Sequence, residues 1–208
     1  APLADETHYL WRRGAECFQQ DQIDWFIDEL ENVPEDYSLV IMRHSFPDAN
    51  TRYDCNFSEV GASLRGNDAV LFNTVITSIV DAWIHKTTIN TTFEPRNYTD
   101  YVDSISVNAD FSERESSNFI CYLVGHSHKD VVVHSTDYPD QLAIGFVCTS
   151  TAPVQYHNSD LPRAAGTKAM DAITVVSFDT ANRLVNLVRV GANVTNRMVD
   201  RTMISIPY

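Results

Sequence analysis

Positive charge is scarce in this chain. The 15 lysines and arginines face 28 acids over 208 residues, a formal charge of −13, which argues against general nucleic-acid binding because that footprint rests on clustered Lys and Arg. A small phosphoester stays open as a substrate, since bound metal ions can supply local positive charge. No stretch approaches the ~18 to 20 uninterrupted apolar residues of a membrane span. The first residues, Ala1-Pro-Leu-Ala-Asp-Glu-Thr-His8, do not form a signal peptide. No membrane association is expected. Cys17, Cys55, Cys121 and Cys148 include no Cys-x-x-Cys pair, so a structural zinc knuckle is not expected and the thiols read as buried. A Cys17 to Cys55 disulfide would need an oxidising compartment. A nucleophilic serine elbow, a phosphate-binding glycine loop and a dinucleotide fingerprint are all missing. So are internal repeats and low-complexity segments.

What is present suffices for a real core, with 44% apolar residues in a length that fits one large domain or two small ones. Asn56-Phe-Ser, Asn90-Thr-Thr, Asn97-Tyr-Thr and Asn193-Val-Thr fit the glycosylation pattern. In a chain this rich in Asn, Ser and Thr they read mostly as chance. The chain starts at Ala1 without a methionine, which suggests processing or an artificial boundary.

Periodicity gives the elements. Asp21 to Asn32 carries Ile23, Phe26, Ile27 and Leu30 at helical spacing and stops before Pro34. The run Leu39 to Met42 reads as a strand buried on both faces that delivers His44 to its tip. Phe46 to Arg65 reads as loop. From Asn67 to about Ile84, apolar residues recur at three and four, predicting the longest helix. Thr87 to Thr99 reads as a turn, and Ser104 to Phe111 alternates like a half-buried strand. Further strands are expected at Asn118 to Val124, Val131 to His134, Leu142 to Cys148, Ala172 to Phe178 and Leu184 to Val190, the last two as a hairpin through Asp179-Thr-Ala-Asn182. The order predicts an α/β chain, an α+β mixed sheet with helices on one face.

Chemistry concentrates in histidines at strand ends. Gly125-His126-Ser127-His128 follows the apolar run Phe119 to Val124, as His44 follows Ser38 to Arg43. Residues i and i+2 of an extended chain point to the same side, roughly 6 to 7 Å apart, so His126 and His128 can face two metal ions about 3.5 to 4 Å apart. That is half of a two-metal site, since hard divalent ions and a bridging hydroxide also call for carboxylates. Substitutes fail. Asp5-Glu-Thr-His8 has one residue too many between acid and histidine, and Gly66-Asn67-Asp68 lacks the histidine and opens a helix; both read as turn chemistry. His8, His85, His134 and His157 have no partner at ligand spacing and read as structural or exposed. Arg43, Lys129 and Arg163 lie near the motifs in sequence and are candidate phosphate contacts.

At Gln22-Ile-Asp-Trp25, Val40-Ile-Met-Arg-His44, Val124-Gly-His-Ser-His-Lys-Asp130, Ala172 to Asp179 and Leu187 to Gly191, the chain resembles the calcineurin-like metallophosphoesterases. The resemblance runs from about residue 17 onward and covers the C-terminal half of that family's order of blocks. It implies that residues 1–208 are the C-terminal portion of a single domain, with 1–16 an irregular lead-in. The fold it implies is an αββα sandwich whose N-terminal half is missing. His44 and His126 would then ligate one metal and His128 the other, with Asp130 orienting an imidazole from behind. The position after the strand-end histidine, where the family commonly has a second one, is Ser45. The implied cofactors are two divalent ions in the complete enzyme, Mn, Fe or Zn, and the chain alone is not required to bind any.

Two functions follow as expectations. One is the C-terminal part of a metal-dependent phosphoester hydrolase, inactive in isolation for want of its carboxylates. The other is a non-enzymatic interaction or assembly module built on the truncated scaffold. Either way the half-fold should expose an apolar face and unpaired strand edges. These would be covered by the missing N-terminal half, by a copy of the chain, or by a larger assembly.

Overall fold

The structure is a computed structural model that describes residues 18–43, 68–94, 104–125, 131–135, 137–146, 166, 172–191 and 203–208. The chain divides into two compact units, Ala1–Leu39 with Pro47–Phe119 and Val40–Phe46 with Ile120–Tyr208.

In the first unit, helices α1 (Gln20–Asn32) and α2 (Asp68–His85) pack on the antiparallel hairpin β2 (Thr88–Phe93) and β3 (Ile105–Asp110). Ile23, Ile27 and Leu30 of α1 are buried at helical spacing, as are Val75, Ile76, Ile79, Val80 and Trp83 of α2. On β3, Ile105, Val107 and Ala109 turn inward while the residues between them face solvent. Gln20 seals the open side of β3, where its side-chain amide donates to the Ser106 carbonyl at 2.7 Å and its Oε1 accepts from the Ser106 N–H at 2.9 Å. One side chain thus stands in for a neighbouring strand.

The end of α1 is closed from a distance. Its last turn holds no basic residue, so its terminal carbonyls need donors from elsewhere. Arg114 supplies them, donating to the carbonyls of Leu30 and Glu31, both at 3.3 Å, and of Val33 at 3.0 Å. Trp83 Nε1 adds a donation to Leu30 at 3.1 Å, and the Arg114 guanidinium lies 5.3 Å from the centre of the Trp83 ring. Helix α2 ends in a Schellman turn, with Thr87 N–H bonded to the Ala82 carbonyl and Lys86 N–H to that of Trp83. Lys86 takes φ of 55° there, the left-handed conformation that motif requires.

That turn feeds the chain straight into β2, so Thr88–Phe93 of the expected turn at Thr87 to Thr99 is a strand, and the stretch after residue 94 lies outside the described residues. The β-branched content of Thr88-Ile-Asn-Thr-Thr-Phe93 favours extension, and pairing with β3 from Thr88↔Asp110 to Phe93↔Ile105 fixes it. In this unit the helices contact β2 and β3.

A four-stranded sheet of order β1-β4-β6-β5, most of whose residues belong to the second unit, uses β1 (Ser38–Arg43), β4 (Asn118–Val124), β5 (Val131–His134) and β6 (Leu142–Gly145). The β4–β6 pair is parallel and the β5–β6 pair antiparallel, so the α+β mixed sheet is present. β4 and β6 are buried along almost their whole lengths, whereas β1 is an edge strand, half-buried, with Met42 79% exposed. The expectation that Leu39 to Met42 is covered on both faces is therefore wrong. An apolar run cannot by itself distinguish an edge from a centre.

A three-stranded antiparallel sheet holds β7 (Ala172–Asp179), β8 (Leu184–Gly191) and β9 (Met203–Pro207), and β9 was not expected from sequence. Ile120, Cys121, Leu142 and Ile144 of the first sheet share one buried cluster with Val185, Leu187 and Ile206 of the second. The two sheets thus pack face to face. The β7–β8 turn is held by Asp179, whose carboxylate accepts from the Asn182 N–H at 3.0 Å and from its side-chain amide at 2.7 Å. Arg183 follows at φ 53°, and its Nε donates to the Tyr208 carbonyl at 3.0 Å.

Candidate functional site

Strand direction decides which tips meet. Ser38 and Asn118, the first residues of β1 and β4, are joined side chain to side chain at 2.6 Å. Just upstream the Glu35 carboxylate accepts from the Ser116 N–H at 2.7 Å. Contacts that advance together along both segments mean that these neighbouring strands run the same way. Val124, the last residue of β4, pairs with Gly145, the last of β6, and Val131, the first of β5, pairs with Gly145 from the other side. Arg43, Val124, Gly145 and Val131 therefore mark one edge of the sheet, the edge at which β1, β4 and β6 end. In open sheets of parallel strands that edge is where ligands collect.

His44 follows Arg43 in the sequence, and His126, His128, Lys129 and Asp130 lie between β4 and β5. These residues, and Arg163, lie outside the described residues. Arg43 is half-buried at its strand tip with Nη1 enclosed by protein. Among the described residues, no three His, Cys, Asp or Glu side chains gather closely enough to hold a metal ion.

The other histidines that can be placed behave as structural groups. His85 sits in the last turn of α2 with Nδ1 3.3 Å from the half-buried Asp81 carboxylate four residues back, and its own side chain is exposed. His134 is exposed, with Nδ1 3.1 Å from the Pro139 carbonyl. His8 and His157 lie outside the described residues.

No protein-family model matches the chain, and neither a curated protein nor a solved structure does.

Cys121 is enclosed in the inter-sheet cluster, and burial pushes its thiol up to about 12. A thiol held protonated is a poor nucleophile and a poor metal ligand, so the buried reading of this cysteine stands. Cys17, Cys55 and Cys148 lie outside the described residues. The carboxylates with shifted acidity serve turns and junctions. The Ser116 backbone N–H lowers Glu35, with Arg114 assisting at 3.7 Å. The hydroxyl and N–H of Ser112 lower Asp110, helped by Thr88, and Asn182 lowers Asp179 through its side chain and its N–H. None of them sits at the tips of β1, β4 or β6.

Sequence reading overlooked an apolar surface. On the outward side of the three-stranded sheet Ile173, Val175, Val188, Val190 and Met203 are 37% to 61% exposed. The signal was available, because β7 and β8 put apolar residues on both parities, as in Val175-Val176 and Leu187-Val188, and a strand wetted on one face should alternate.

Proposed function

We propose that the chain is the C-terminal part of a metal-dependent phosphoester hydrolase, contributing His44, His126 and His128 to a two-metal centre at the β1, β4 and β6 tips. The observation that carries this reading is the shared direction of β1 and β4. Residues that leave these strands after Arg43 and Val124 start from the same sheet edge although some eighty positions separate them. The calcineurin-like αββα sandwich is part of the same proposal, and the face-to-face packing of the two sheets supports it.

The donor set fits half of such a centre. Imidazoles would suit Zn, Mn or Fe, but two such ions would also call for anionic oxygens, which the N-terminal half of the proposed enzyme would supply. The chemistry a bound metal pair would supply is Lewis-acid polarisation of the phosphoryl group and a more acidic water. This chain's share would be to present imidazoles, with Asp130 fixing the orientation of one of them and Arg43 facing a phosphate oxygen. With Nη1 enclosed, Arg43 would have to use the other side of its fork.

The test is zinc and manganese binding by calorimetry, alongside hydrolysis of p-nitrophenyl phosphate. Weak binding that falls on His44→Ala, His126→Ala and His128→Ala, without turnover, is the expected result. Binding indifferent to all three substitutions rejects the metal-site reading. Turnover abolished by His126→Ala rejects the claim that essential ligands are missing. The second reading, a non-enzymatic interaction module, is favoured by the apolar outer face of the three-stranded sheet.

A further inference from the structure

We infer that the polar contacts just ahead of β1 and β4 set the register of these two strands, and that Asn118, Ser116 and Glu35 are thereby positioning residues for the strand tips. The register stands on the contacts themselves, and its bearing on a metal centre rests on the phosphoester reading above.

Apolar pattern leaves this register undetermined. A strand is normally held in place by alternation, because a slip of one residue carries every apolar side chain to the other face. Leu39-Val-Ile-Met42 and Phe119-Ile-Cys-Tyr-Leu-Val124 are apolar at both parities, so a slipped pair still puts one apolar side chain where another was. Val40 packs on the inter-sheet cluster, and after a slip Leu39 or Ile41 would fill its place. Burial therefore favours the pairing of β1 with β4 without choosing among neighbouring registers.

The choice is made upstream. Arg114 donates to the Val33 carbonyl at 3.0 Å, the Glu35 carboxylate accepts from the Ser116 N–H at 2.7 Å, and Asn118 Nδ2 donates to Ser38 Oγ at 2.6 Å. The Ser116 hydroxyl also donates to the Glu35 carbonyl. The partners in the three measured contacts are 81, 81 and 80 positions apart, the nearly constant offset of two segments that advance side by side. Carried forward, that offset sets Arg43 level with Leu123 and Val124, so that β1 and β4 end together. The size of a slip decides how much this matters. One residue is about 3.3 Å along a strand, close to the ~3.5 to 4 Å between the ions of a two-metal centre. A chain slipped by one step would carry His44 away from an ion shared with His126.

The experiment reads register and metal binding separately in the full chain. Cross-strand backbone NOEs between β1 and β4 are measured by NMR, and zinc affinity by calorimetry, for the wild type, for Asn118→Leu, and for Glu35→Ala, Ser116→Ala and Asn118→Leu combined. The wild type should show one set of NOEs, with Arg43 level with Leu123 and Val124. The combined variant should add a slipped set and bind zinc about tenfold or more weakly, and Asn118→Leu should do the same in smaller measure. Asn118→Asp can accept from the Ser38 hydroxyl and should keep the wild-type pattern and affinity. If the combined variant does not fold, Asn118→Leu against Asn118→Asp carries the test. A single unshifted set in the loosened variants overturns the inference, and a slipped set with zinc affinity unchanged overturns the positioning role. Zinc binding that is absent from the wild type or indifferent to His126→Ala, while the NOEs slip as expected, rejects the phosphoester reading and leaves the register device standing.

Discussion

The hairpin β2–β3 and the sheet β7-β8-β9 are both antiparallel, and each buries one face. They differ in what holds the buried side and in what is shown outside. The first is fastened by polar groups reaching across long stretches of sequence, Gln20 to Ser106 and Arg114 to the end of α1, and shows solvent a ladder of polar pairs. The second is fastened by aliphatic contact with the four-stranded sheet and shows solvent more aliphatic surface. Strand alternation therefore separates a finished face from an unfinished one, and only the first sheet is dressed for water on its own.

If that contrast is right, damage to the first unit should be greatest where polar and apolar anchors coincide. Trp83 is fully buried and donates to the Leu30 carbonyl. Trp83→Ala should cost about 3 to 5 kcal/mol, the range for emptying a large aromatic site, read as a fall in the denaturant midpoint. Equal stability in wild type and variant would mean that α2 is not anchored at this residue.

Arg114 comes next. Its side chain is 8% exposed and serves three carbonyls of the α1 terminus, so Arg114→Ala should cost about 2 to 3 kcal/mol, as expected for charge-assisted bonds whose partners are left wanting. Arg114→Lys keeps the charge and loses the fork, and should recover less than half of that loss. Full rescue by lysine would show that charge at the helix end, rather than the three directed bonds, closes α1.

In the second unit the matching polar feature is smaller. Tyr122 donates to Gln141 Oε1 at 2.8 Å between two fully buried side chains. Tyr122→Phe removes that bond and should cost about 1 to 2 kcal/mol. A loss as large as that of Arg114→Ala would mean that this unit too depends on polar fastening.

Much of the framework was legible from local pattern. Both helices, β3, β4, β5 and the β7–β8 hairpin follow from periodicity and from Asp179 and Asn182 in the turn, because those signals reside in neighbouring residues. What failed depends on partners distant in sequence. β2 was hidden because Thr and Asn suit turns as well as strands until Ile105 to Asp110 pairs with them, and β9 is too short to announce itself before β8 is in place. β1 looked central because Leu39 to Met42 is apolar throughout, and its edge position is set by strand order. For the candidate site, sequence identified the strand tips, and the direction of β1 relative to β4 came from the Ser38–Asn118 contact. The ligand residues themselves lie outside the described residues.

The smallest expected effect compares the two units through their acids. Glu35 titrates below its ordinary value of 4.5 because the Ser116 N–H, and then Arg114, favour the charged form. Asp179 lies below its ordinary 3.8 because Asn182 does the same. A carboxyl whose folded value is depressed binds its proton more readily when unfolded, so its contribution is fully present above the unfolded value and is lost as pH falls through the folded one. Stability should therefore be level above pH 5 and decline from about pH 4 downward. Glu35→Gln should flatten part of that decline. Asp179→Asn should flatten less at little cost near neutrality, since the asparagine carbonyl still accepts from the Asn182 N–H. Midpoints measured for both variants between about pH 3 and 6 would decide it. A decline unchanged in each would place the acid sensitivity on other groups, and a large neutral-pH loss in Asp179→Asn would show that the β7–β8 turn needs the charge itself.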